Sequence, residues 1–95
     1  MALVMGYIKD LDIAVPLGRE TRFTDPRTGE EFDGWMIDVA HIEEKFWPKL
    51  LADMRARFED ALPDDEAFKA AIIEQGGLPI RASRVNVVYD MRGFL

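Results

Sequence analysis

The apolar residues change period twice along the chain, and that change restricts the folds open to it. Leu11, Ile13, Val15 and Leu17 alternate with Asp12, Ala14, Pro16 and Gly18. A period of two marks a strand with one buried face. Pro16 has no N–H for a ladder, which ends this strand there or places it at a sheet edge. Asp25-Pro26-Arg27-Thr28-Gly29 then reads as a turn: Pro26 presets φ, the Asp25 side chain can bond forward to the backbone, and Gly29 accepts positive φ. A hairpin between residues 22–24 and 31–33 follows. In the returning strand Asp33, Trp35 and Ile37 share one parity while Phe32, Gly34, Met36 and Asp38 share the other, so both faces carry apolar residues.

Between about residues 41 and 75 the period becomes helical. Trp47, Leu50, Leu51, Met54, Phe58 and Ala61 form one stripe, with Lys49, Asp53, Arg57 and Asp60 turned away. Pro48 fits a helix only in its first turn, which predicts a helix over 47–61 and a separate turn over 41–46. Pro63 separates it from a second helix with Asp64, Asp65 and Glu66 at the positive end of its dipole. That helix carries Phe68, Ala71, Ile72 and Gln75 on one face and stops at Gly76-Gly77. The short connection predicts an antiparallel αα-hairpin.

Period two returns with Val85, Val87, Tyr89 and Met91, whereas Ile80 and Ala82 have the opposite parity. The phase change near Ser83-Arg84 predicts a bulge or two strand pieces. The expected fold is α+β: a single domain over residues 1–95, in which a small, mainly antiparallel sheet packs against an αα-hairpin. N-terminal strands with a hairpin and a C-terminal strand make up that sheet. A chain of 95 residues supports one core without staples.

Charge and cysteine exclude several functions. Twelve cations face 18 anions, a net charge of −6, which argues against direct nucleic-acid binding. Arg81, Arg84 and Arg92 outnumber Asp90 in the last twenty residues, and the expectation is that they pair with the acidic helices across the fold. There is no cysteine, so disulfides, thiolate chemistry and cysteine-ligated metals are excluded, and the cytoplasm is the expected compartment. The opening MALVMGYIKD lacks a basic start and is interrupted by Lys9-Asp10, unlike a signal peptide. No run is long enough to span a membrane.

No catalytic template stands out, and no cofactor or metal is expected. His41 is the only histidine and Ser83 the only serine. Three readings remain. The first is a non-catalytic protein-interaction module, a homodimer or an accessory subunit, using Phe46, Trp47, Trp35, Phe94 and Leu95. Adjacent aromatics on a helix point about 100° apart, so one of Phe46 and Trp47 can meet a partner while the other enters the core. The second is an acidic inhibitor of a nucleic-acid-binding enzyme, of a phage or mobile-element type, using Glu59, Asp60, Asp64, Asp65 and Glu66. It predicts a continuous acidic surface. The third is a small ligand-binding or enzyme domain with a pocket formed by His41, Glu44, Arg81 and Tyr89, which requires those four to converge.

Overall fold

The computed structural model describes residues 4–57 and 62–94. Five strands form one sheet: β1 (Val4–Ile8), β2 (Ile13–Thr24), β3 (Glu31–Ile37), β4 (Leu78–Arg81) and β5 (Val85–Asp90). Their order is β4-β3-β2-β1-β5, and every neighbouring pair is antiparallel. Between β3 and β4 lie two single 3-10 turns (Val39–His41 and Glu44–Phe46), then α1 (Trp47–Arg57) and α2 (Asp65–Gln75). The α+β expectation holds. The expected last turn of the first helix, with Phe58, Glu59, Asp60 and Ala61, lies outside the described residues, and the Arg55 guanidinium reaches the Leu62 and Pro63 carbonyls of the connection beyond it.

The hairpin forms where the turn chemistry places it. Asp25 accepts from the backbone N–H of Arg27 through its side chain (2.8 Å) and from Gly29 through its carbonyl (2.8 Å), and Gly29 has φ +74°. Thr24 then pairs with Glu31 and Phe23 with Phe32. Pro48 sits in the first turn of α1. Asp64 caps α2, accepting from Ala67 N–H at 3.2 Å, and Gly76 ends it with φ +90°. The phase change near Ser83 resolves into two strands, β4 and β5, parted by a 3-10 turn (Ala82–Arg84) and sent to opposite edges of the sheet.

Three expectations need correction. β2 does not end at Pro16 and is not an edge strand; it runs on to Thr24 as the middle strand. A residue's N–H and C=O point to the same side of a strand, and the Pro16 carbonyl accepts from Asp38 N–H at 2.9 Å. The missing donor therefore faces the place where β3 has already ended, and no β1–β2 hydrogen bond is lost. On α2, Phe68 and Ile72 are buried but Ala71 and Gln75 are exposed, because the core reaches only a narrow strip of that helix. On β5 the alternation breaks: Val88 is an extra residue between the pairs Gly6–Val87 and Met5–Tyr89, so only Val85 enters the core.

The core lies between one face of the sheet and the helices. Val4, Ile8, Ile13, Val15, Leu17, Trp35 and Ile37 meet Trp47, Leu50, Leu51, Met54, Phe68 and Ile72 there. Ile8, Ile13, Val15 and Ile37 are at most 1% exposed, and burying each contributes roughly 1.5–3 kcal/mol. Gly34 is fixed by a close approach: a Cβ there would stand 2.2 Å from the Ile80 carbonyl oxygen. The second face of the sheet has no helix on it among the described residues. Register places Met5, Tyr7, Phe23, Phe32, Met36 and Tyr89 there, all half-buried.

Candidate interaction surface

The charged groups named from sequence are spent on local structure. Arg84 bonds Asp53 of α1 at 3.3 Å and lies 3.6 Å from Asp10. Arg81 lies 3.5 Å from Glu30 and 3.8 Å from Asp25, with its guanidinium 4.2 Å from the centre of the Phe32 ring. Arg92 grips Asp90 through Nη2 at 2.6 Å and stacks over Trp35 at 5.2 Å. Of the three C-terminal arginines only Arg84 meets a helix carboxylate across the fold as expected; Arg81 pairs with the Asp25–Glu30 turn and Arg92 with its near neighbour Asp90. The Arg92 side chain, and then its backbone N–H, stabilise the Asp90 carboxylate and hold its pKa down to about 2. The backbone N–H of Arg27 likewise lowers Asp25. The Tyr7 hydroxyl donates to Asp12 at 2.7 Å, which raises the tyrosine.

The four pocket candidates are not brought together. Arg81 ends β4 and Tyr89 lies on β5, the two opposite edges of the sheet. The His41 ring bonds Asp38 at 2.7 Å, whereas Glu44 takes the Lys69 ammonium at 2.6 Å. Each has a different partner on a different turn. Among the described residues no group of three or more histidine, aspartate or glutamate side chains could hold a metal. A small cavity of about 50 Å³ lies against α1, near Asp53, Arg57 and Arg84. A shallow groove of about 530 Å³ runs past Arg19, Met36, Gln75 and Pro79. Neither is lined by any of the four.

The acidic cluster is interleaved with cations where it is described. Asp64 caps a helix, Asp65 pairs with Arg55, and Arg55 lies over Phe68. Glu59 and Asp60 lie outside the described residues. No continuous acidic surface is assembled from the remainder.

Two of the expected contact aromatics belong to the core. Trp47 is 3% exposed and Trp35 5%, so neither offers a side chain to a partner. Trp47 turns inward because Leu50, Leu51 and Met54 continue its helical stripe; Trp35 does so because it shares parity with Ile37. Phe46 is half-buried against the core, with the Lys45 ammonium 5.1 Å from its ring. Leu95 and the Phe94 side chain lie outside what is described.

The exposed apolar groups are elsewhere. Val87 is 43% exposed, Val88 58% and Met91 38%, all on or just beyond β5. Among the described residues nothing pairs with the outer side of β5. The other edge, β4, is only four residues long and contains Pro79, which cannot donate. β5 has six residues, with no proline or lysine. Sequence reasoning read Val87 as a buried alternating residue and missed this edge. The period of two identifies a strand but carries no information on its place in the sheet. The apolar second face was legible, because Phe32 and Met36 alternate with Trp35 and Ile37. In comparisons with known proteins, no family model, no curated protein and no solved structure matches this chain. No helix among the described residues is long and apolar enough to cross a membrane.

Proposed function

We propose that this chain is a small, non-catalytic protein-interaction module that takes its partner along the outer edge of β5. The observation that carries the reading is the pair of exposed valines on a strand whose outer side pairs with no strand among the described residues. Soluble domains blunt such edges with proline, lysine or very short strands. β4 is short and carries Pro79, whereas β5 has only the Val88 bulge. An extended segment added to β5 would satisfy its outward N–H and C=O groups while covering Val87 and Val88. The half-buried apolar face beside it, with Met5 and Tyr89 nearest β5, extends the contact area. The cysteine-free chain suits a reducing compartment, and the proposed place of action is the cytoplasm.

The test is a photo-crosslinking residue in place of Val88, compared with one in place of Ile73. Ile73 is similarly exposed (39%) but lies on α2. In extract of the native cell, the position 88 probe is expected to capture a protein and the position 73 probe to capture none. Equal capture at both positions, or none at 88, removes the reading.

A further inference from the structure

We propose that the groove beside β3, β4 and the end of α2 binds a free α-amino acid with an apolar side chain. The site does not involve β5 and goes beyond the interaction reading. Its starting point is Arg19. The chain has eight arginines, and seven of them lie within ion-pair distance of a carboxylate. The Arg19 side chain alone has no ion pair, hydrogen bond or ring contact among the described residues, and Arg19 is exposed at the groove. A bulge sets it there. β2 and β3 pair at Leu17–Ile37 and at Glu20–Trp35, so Gly18 and Arg19 together stand opposite Met36. Such an extra residue re-aims a side chain out of the alternating ladder.

Met36 and Pro79, paired across β3 and β4, supply an apolar floor. Two glycines hold the backbone close to it. A Cβ at Gly77 would stand 2.5 Å from the Met36 sulfur, and one at Gly18 would stand 3.1 Å from the Met36 carbonyl oxygen. Negative charge lines the groove as well. One Asp38 carboxylate oxygen bonds the His41 ring at 2.7 Å, and the other has no partner among the described residues. Gln75 and Gly76 bring in the C-terminal end of α2, where the helix dipole is negative. No ion pair joins Arg19 to Asp38 among the described residues, so both charges stay available to a ligand.

A zwitterion with an apolar body matches that lining. Its carboxylate takes the fork of the Arg19 guanidinium. Its ammonium meets Asp38 and the carbonyl end of α2, and its side chain lies on Met36 and Pro79. A simple anion would meet Asp38 and the negative helix end unfavourably, and a simple cation would meet Arg19. The groove volume of about 530 Å³ is of ligand size. The groove is shallow and wet, so the expected Kd is on the order of 1 mM.

Leucine is the probe, titrated into the isotope-labelled full chain and read by NMR at the Gly76 and Gly77 amides. Two analogues each lack one charge: isocaproate has no ammonium and isoamylamine no carboxylate. Leucine is expected to shift both amides to saturation, with each analogue binding at least ~10-fold more weakly. Arg19→Gln is expected to weaken leucine at least ~10-fold. Its melting point should not change, because that side chain makes no contact that supports the fold. Arg19→Lys should keep part of the affinity, having the charge without the fork. No shift at about 10 mM leucine, well above that Kd, overturns the site. So does isocaproate binding as tightly as leucine, or an Arg19→Gln chain that binds leucine unchanged. None of these results alters the capture expected at position 88, so the two readings fail separately.

Discussion

Replacing Gly34 by alanine sets two ordinary effects against each other, and the structure decides the sign. Glycine in a strand interior costs about 0.5–1 kcal/mol relative to alanine, so propensity alone predicts stabilisation. The added Cβ, however, would lie 2.2 Å from the Ile80 carbonyl oxygen and 3.3 Å from a Phe23 ring carbon. The first distance falls about 1 Å short of the 3.4 Å at which ordinary contact begins. The obstructing atom is backbone, so relief requires moving β4. That movement disturbs the pairs Gly34–Arg81 and Trp35–Ile80 and draws Ile80 and Leu78, 5% and 7% exposed, out of the core. Overpacking costs about 1–3 kcal/mol and each weakened ladder bond about 1 kcal/mol. Less the propensity gain, the expected net loss is about 2–3 kcal/mol. In a domain of this size that lowers the melting point by about 10–20 °C. Thermal unfolding followed by circular dichroism measures it, with Gly93→Ala as the comparison. Among the described residues, chain neighbours aside, no heavy atom lies within 4 Å of a Cβ at Gly93, so that change is expected to be nearly neutral. A Gly34→Ala protein melting within about 3 °C of the parent would refute the close-approach argument.

Trp47→Ala is expected to cost about 3–5 kcal/mol in urea unfolding, because it empties a site 3% exposed in the core. Phe46→Ala, at a half-buried position, should cost clearly less, and equal losses would contradict the placement of the two rings. The lowered pKa of Asp90 has a definite sign: its contribution is present above the ordinary carboxylate pKa and disappears as pH falls from about 4 through about 2. NMR titration of the Asp90 carboxyl should show that low midpoint, and Arg92→Ala should return it towards 3.8; a midpoint unchanged by that substitution would remove Arg92 as the cause.

Local signals in the sequence translated well into structure, whereas placement did not. The Asp25–Gly29 turn, the first-turn Pro48 and the Gly76 stop depend on bonds within a few residues, and each formed as read, whereas Asp64, read as a first-turn carboxylate, is the residue that caps the helix. Trp35 and Trp47 were legible as apolar but not as inaccessible. Their exposure depends on which elements close over them, and those elements are distant in the chain. The pocket reading of His41, Glu44, Arg81 and Tyr89 joined residues by chemistry, without knowledge that β4 and β5 would occupy opposite edges.

The sequence by itself determined the period, and through it the kind of element in each zone. Alternation and helical stripes are properties of side-chain spacing, which neighbouring residues fix. Tertiary structure alone decided the strand order. It made β2 central despite Pro16, because that proline's missing donor falls just past the end of the β3 ladder. It also left β5 at the border with Val87 and Val88 uncovered. Backbone hydrogen bonding is the same for every residue in a ladder, so no local pattern records which strand will be last.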